Sequence, residues 1–230
     1  MPKNSEIMRS EKRTKGNTRE YIYNKIRDDI IYGRLRPGER LLESELTRNY
    51  QVSRTPVREA IRQLQSEGFV NVISNRGATV TKLSIQEVDE IYGIRAILEA
   101  YAVRLAVEKI TKNDLNNLLK IQKKLEENAS IKDYEGYIEN NIKFHFFFPE
   151  ISGNKNLLRT IQDLRRCVYR YQYITLTIPG SFDPWLKGHR KIIDALIKKD
   201  AELAAKNMEN HLEDIRRVSI DFFKKFPQGL

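Results

Sequence analysis

The run from Val52 to Phe69, VSRTPVREAIRQLQSEGF, constrains the fold more than any other part of this 230-residue chain. Val57, Ile61 and Leu64 recur at helical spacing and define one apolar face, whereas Arg54, Arg58 and Arg62 fall four residues apart on another. Ser53 or Thr55 is suited to cap the helix start, and Pro56 is tolerated in a first turn, where its missing N–H has no partner to lose. The pattern predicts a helix with one packing face and one cationic face. Periodicity alone allows an ordinary surface helix with a solvated arginine row, and the flanking segments decide against it. Upstream, Leu41 to Tyr50 predicts a short amphipathic helix, and Gln51-Val52 a tight turn into the arginine helix, which is the helix-turn-helix layout. Downstream, Val70–Ile73 and Ala78–Thr81 predict two short strands joined by Ser74-Asn75-Arg76-Gly77, a hairpin with a glycine and a basic side chain at its tip. A hairpin beside such a helix is a wing.

Charge is distributed as this reading requires. The chain carries a formal net charge of +10, yet residues 1–83 hold 17 Lys and Arg against 10 Asp and Glu, whereas the remainder holds 24 against 21. Positive charge concentrated on one part of a chain is the footprint of phosphate contact and counterion release. At about 150 residues per domain, two domains fit the length. The sequence divides into a polar, aperiodic segment at 1–17 expected to be a disordered basic tail, a winged helix-turn-helix domain at 18–83, and an all-helical domain at 84–230. No segment resembles a signal peptide, and no apolar run approaches the ~18 residues of a membrane span. The single cysteine, Cys167, excludes an internal disulfide and fits a reducing cytoplasm.

From Ser84 onward the pattern predicts about six helices in an antiparallel bundle. Ser84 with Glu87, and Thr111 with Asp114, are capping boxes that open the first two, running to about Ile110 and Asn128. A third is expected from about Lys132 to Phe148, ended by Pro149, and a fourth from about Lys155 to Thr177, closed by Pro179-Gly180. The fifth spans about Pro184 to Lys198 and the sixth about Asp200 to Lys225.

All three histidines of the chain fall in this bundle, each on an apolar stripe. Tyr134, Ile138, Asn141, His145 and Phe148 share one face of the third helix; Trp185, His189, Ile192 and Leu196 share one on the fifth. On the sixth the stripe is Ala204, Met208, His211, Ile215, Val218 and Phe222. A lone histidine on an apolar face is usually a satisfied core residue. Burying three imidazoles costs free energy unless their nitrogens find partners, and a shared metal or acidic ligand would satisfy them together.

The segment IIYGRLRPGERLLESELTRNYQVSRTPVREAIRQLQSEGFV, followed by NRGATV, closely resembles the GntR family of bacterial transcription regulators across Glu20 to Leu83. Arg95-x-x-Leu98-Glu99, Phe144-His145, Ser152-Gly153-Asn154, the GHRKIIDAL segment and Asn210-His211-Leu212 resemble the FCD domain of the FadR-type branch. The resemblance implies that Arg54, Thr55 and Arg58, with Ser53 nearby, meet base edges and phosphates in the major groove. Arg76 and Gly77 would approach the minor groove at the wing tip. Ser44 falls where some relatives carry a DNA-contacting arginine, so at most a phosphate contact is expected there. It further implies a divalent metal held by Asn141, His145, His189 and His211, where metal-binding relatives more often have aspartate at the first position. Asn141 removes one negative charge from that set, and three imidazoles suit zinc, nickel or another borderline ion.

The same resemblance implies a small organic acid as effector, with Arg95 as a pocket arginine able to pair bidentately with a carboxylate. An ion pair with Glu99, four residues on, is the competing role for Arg95. Arg166 and Arg170 are further pocket candidates without assigned positions. Together these features describe a cytoplasmic homodimer that binds double-stranded DNA at a short inverted repeat, most often as a repressor released by a metabolite. Two alternatives are a metal-dependent hydrolase with a DNA-targeting head, and a constitutive DNA-binding dimer with a vestigial pocket. The chain lacks an HExxH arrangement and a nucleophile elbow, which counts against the hydrolase.

Overall fold

A computed structural model describes residues 15–73, 77–82, 84–178 and 180–225. In chain order the elements are α1 (Lys15–Ile31), β1 (Arg40–Leu41), α2 (Glu43–Tyr50), α3 (Arg54–Ser66), β2 (Val70–Ile73), β3 (Gly77–Val80), α4 (Ile85–Val107), α5 (Lys112–Ser130), α6 (Tyr134–Ser152), α7 (Lys155–Leu176), α8 (Phe182–Ile197) and α9 (Ala201–Lys225). Of the expected basic tail, residues 1–14 lie outside the described residues, while 15–17 already belong to α1.

Ile22, Ile26 and Ile30 recur every fourth residue of α1, and all are inaccessible to solvent. They pack on α3 against Val57, Ile61 and Leu64, the apolar face read from the sequence, and against Ala60, which is buried beside them. Each fully buried aliphatic side chain contributes about 1.5–3 kcal/mol. The small sheet has the order β1-β3-β2, both pairings antiparallel, with Val70 opposite Val80 and Ile73 opposite Gly77. Leu41, expected to open the helix that precedes the turn, pairs with Ala78 instead, next to Arg40 opposite Thr79, so α2 starts at Glu43. Sheet hydrogen bonds and the burial of Leu41 outweigh the helical periodicity at this end. Gln51 closes α2 in the left-handed region at φ 52°.

The remaining six helices form an antiparallel bundle in which α4 lies against α6, α7 and α9, α5 against α6 and α8, and α8 against α9. Both predicted capping boxes are present. Ser84 Oγ accepts from the Glu87 amide at 3.1 Å while Glu87 Oε2 accepts from the Ser84 amide at 2.7 Å, and Thr111 with Asp114 repeats the pattern. Pro149 does not end α6. The helix continues one turn to Ser152, where Ser152 Oγ donates to the Pro149 carbonyl at 2.7 Å and Gly153 closes it at φ 70°. Proline forfeits one backbone bond, and burial of Phe148, Pro149 and Ser152 holds the extra turn in place. The α9 stripe also drifts from expectation: Val218 is exposed, and Ser219 and Phe223 take the inward positions after Ile215. Over four turns the 3.6-residue period moves the buried face by one residue.

Candidate functional site

The two ends of the molecule carry different chemistry. At the head, Ser53 stands at the N-cap position of α3 with extended backbone, and Ser53, Arg54, Thr55, Arg58 and Arg62 are exposed. The Ser53 side chain makes no capping hydrogen bond, which leaves the first-turn amides of α3 without that partner. Uncapped amides, the positive end of the helix dipole and two exposed arginines together favour an anion. Arg58 Nε donates to Glu43 Oε2 at 2.7 Å, an exposed pair that costs little to break. Gly77 opens β3 at φ 86°, where a Cβ would come within 3.3 Å of the Leu41 carbonyl oxygen. Arg76 lies outside the described residues.

In the bundle, α6, α8 and α9 bring His145, His189 and His211 together. One nitrogen from each ring lies within 4.8 Å of the others, and all three side chains are buried. Ring centroids are 4.6 Å apart for His189 and His211 and 5.4 Å for His145 with either partner. The helices can approach this closely because residue 188 is glycine: a Cβ there would fall 2.4 Å from His211 Nδ1. Phe144 stacks on His189 at a centroid distance of 3.9 Å and fixes its plane.

Protonation is settled by burial and by one carboxylate. His145 Nδ1 donates to Glu99 Oε2 at 2.6 Å, which leaves the Nε2 lone pair available to a ligand. Burial alone would raise the Glu99 pKa, but the charges of Arg95 and Arg165 and the hydrogen bond from His145 outweigh it and hold the carboxyl well below the usual range. Burial, reinforced by Arg165 and opposed by Glu99, lowers His145 to about 4. Burial followed by the neighbouring imidazoles pushes His189 and His211 well below the ordinary value. All three rings are therefore neutral at physiological pH, the state in which imidazole binds a metal.

Both ring nitrogens of His189, and Nε2 of His211, are buried without a hydrogen-bond partner among the described residues. Orphaned buried polar atoms of this kind are costly. Three neutral imidazoles converging with unpaired nitrogens fit a divalent ion of borderline softness.

A small cleft opens beside this cluster, lined by Tyr92, Arg95, Asn141, Arg165, Trp185 and His211 among others. Asn141 sits one helical turn before His145 in α6 and lines the same cleft. Arg95 Nε donates to Glu99 Oε1 at 2.9 Å, the ion pair considered for it, and the residue also borders the cleft. The residue that sequence reasoning missed is Arg165 on α7, only 1% exposed. Its signal was present, since Leu157, Ile161, Arg165 and Val168 form one buried stripe in which the arginine stands where an apolar side chain belongs. Arg166, considered instead, turns away from the cleft and pairs with Asp163 at 2.9 Å. The side chain of Arg170 lies outside the described residues.

Helix α7 connects cleft and head. Arg165, Gln172 and Thr175 line the cleft. Their neighbours face the other way: Arg166 reaches Glu67, the C-cap of α3, at 4.0 Å, and Tyr173 packs where a Cβ on Gly33 would lie 2.7 Å from its ring. Tyr32 donates to Glu139, and Arg34 pairs with Glu135, across the same junction.

Residues 18–80 match the family described as bacterial regulatory proteins, gntR family, and residues 90–214 match the FCD domain. The chain is 31% identical over 195 residues to YdhC of Bacillus subtilis, an HTH-type transcriptional regulator, covering 83% of this chain and 85% of that protein. It is 29% identical over 196 residues to RspR of Escherichia coli, an HTH-type transcriptional repressor, covering 85% and 86%. The solved structure of McbR from E. coli is similar to it with a TM-score of 0.79 at 26% identity, over 90% of this chain and 98% of that one. An exposed arginine helix in a winged head, joined to an FCD bundle and accompanied by these relatives, shows that the chain belongs to the GntR family and is a DNA-binding transcription regulator, not an enzyme.

Proposed function

We propose that the protein is a metabolite-responsive repressor in which a divalent metal and a small organic acid, bound in the bundle, control the affinity of a homodimer for an inverted-repeat operator. The observation that carries this reading is the convergence of three buried, neutral and incompletely paired imidazoles beside an arginine-lined cleft. His145, His189 and His211 would hold the ion, zinc or nickel, with Asn141 as a neutral fourth ligand. When bound, the metal supplies a Lewis-acidic position for a carboxylate of the effector. Glu99 orients His145, and Arg95 supplies a guanidinium to the same acid.

On DNA, Ser53, Arg54, Thr55 and Arg58 meet the major groove from the N-terminal end of α3, while Arg76 and Gly77 approach the minor groove. Arginine suits the first task because its planar fork matches guanine O6 and N7. Ile94, Ile97 and Tyr101 form an exposed apolar stripe on α4, with Ile97 67% exposed, and a second copy of the chain is its natural cover. The signal then travels through α7, whose adjacent residues face the cleft and the head. The reading implies a bacterial cytoplasmic protein, on the nucleoid when bound to its operator.

The test is linkage. An operator selected from random DNA is titrated with zinc-loaded protein, with and without candidate acids, and acid binding is measured with and without operator. The factor by which acid weakens DNA binding must equal the factor by which DNA weakens acid binding. Absence of any shift with every acid would leave a constitutive dimer.

A further inference from the structure

Among the described residues, three formal charges are buried, and all three belong to one cluster: Arg95, Glu99 and Arg165. Their sum is +1. Glu99 is committed to Arg95 at 2.9 Å and to His145 at 2.6 Å, and its contacts to Arg165 are long, at 3.4 and 3.5 Å. Arg165 Nε has no hydrogen-bond partner among the described residues. The rings of Phe146 and Tyr169 lie 5.4 and 5.8 Å from its guanidinium carbon and give only partial compensation. None of the residues lining the cleft is an aspartate or glutamate. An under-satisfied guanidinium in an interior of low dielectric is expensive, and the arrangement is sustained only if something anionic completes it.

We infer that the effector is a small dicarboxylate, and that Arg165 is the specificity-determining residue that grips its second carboxylate. This deepens the acid-sensor reading and rests on it. With a divalent ion among the histidines, the cluster holds three unneutralised positive charges. A monocarboxylate on the metal side leaves two of them buried and Arg165 Nε still unpaired. A dicarboxylate would place one carboxylate toward the histidines and the other on the unpaired Nε edge of Arg165. Its second charge is stabilised by a charge-assisted hydrogen bond that the monoacid of equal length cannot make.

The experiment uses full-length, zinc-loaded protein and reads the fluorescence of Trp185, the only tryptophan in the chain and part of the cleft wall. Malonate, succinate and glutarate are titrated against propionate, butyrate and valerate. The best diacid should bind about tenfold to a hundredfold tighter than its monoacid counterpart, the range for one added charge-assisted hydrogen bond. In Arg165→Met that preference should fall to about onefold with zinc content retained. Arg165→Lys, which keeps the charge without the fork and guards against misfolding of the first variant, should keep a reduced preference. Equal binding of diacids and monoacids by the wild type, or a preference undiminished in Arg165→Met, overturns the assignment of Arg165 while leaving an acid sensor intact. Zinc retention with no binding of any acid overturns the sensor reading itself, and the inference with it.

Discussion

Replacing Gly188 with alanine sets two magnitudes against each other. Gly188 lies inside α8, where alanine is favoured over glycine by about 1 kcal/mol on helix propensity alone. A Cβ at that position would lie 2.4 Å from His211 Nδ1, 3.1 Å from its Cγ and 3.3 Å from its Cβ. Carbon contacts in proteins settle at about 3.5–4.0 Å, so the imidazole must retreat by about 1 Å. Because the His211 Cβ is also crowded, rotation of the ring about χ1 does not relieve every contact. Overpacking of this kind costs about 1–3 kcal/mol, which roughly cancels or exceeds the propensity gain in the metal-free protein. A metal site tolerates only about 0.2 Å of ligand displacement, so the effect on the ion dominates. Zinc affinity should fall at least as far as on loss of an orienting contact, about tenfold to a hundredfold. At zinc concentrations near 100 times the wild-type Kd, a hundredfold loss removes most of about 2.7 kcal/mol of metal-linked stability, or about 5–10 °C of Tm. Competition against a chromophoric chelator gives the affinity, and melting with and without zinc gives the increment. Gly93→Ala is the internal control, since its Cβ meets only the far end of Arg216 at 3.4 Å and alanine should be neutral or stabilising there. A Gly188→Ala protein that binds zinc as tightly as wild type and melts higher would refute the argument.

Other perturbations test the remaining parts. Arg58→Ala should weaken operator binding by about 1–3 kcal/mol and relax base preference at one position, measured across single-base operator variants; unchanged affinity and preference would remove Arg58 from the interface. Ile97→Glu puts a charge at the centre of the exposed α4 stripe and should shift sedimentation from dimer to monomer at micromolar concentration, whereas an unchanged dimer would put the interface elsewhere. For the metal-free protein, the three depressed histidine pKa values make stability depend on pH. The folded rings stay neutral while the unfolded ones take up protons near 6.5, so stability is full above that pH and declines as pH falls toward 4. Each ring contributes up to about 1.4 kcal/mol per pH unit. Denaturant midpoints that stay flat between pH 7 and 5 would contradict the burial of neutral imidazoles.

Much of the architecture was legible because its signals are local. The arginine helix, the paired strands and both capping boxes rest on spacings of two to four residues, which a sequence displays directly. The inward stripes of α6 and α8 were likewise readable, and they carry Asn141, His145 and His189. Failures occurred where tertiary contacts overrode local preference. Leu41 left a helical pattern for an edge strand, and Pro149 stayed inside α6 because the surrounding turn is buried. Periodicity could not show that the three rings meet, because that depends on the separation of α8 and α9, which a single glycine permits. Arg165 escaped for a different reason: three arginines within six residues gave no basis for choosing among helix faces until the apolar stripe of α7 was phased.

The most direct test of the account is elemental analysis of untagged protein purified without chelator, beside a His189→Ala variant. The account predicts about one transition-metal ion per subunit in the wild type and none in the variant, since a three-imidazole site loses its hold when one donor is removed. Protein that remains metal-free after zinc and nickel are supplied would contradict it, and would mean that neutral Asn141 and three imidazoles do not suffice to hold an ion.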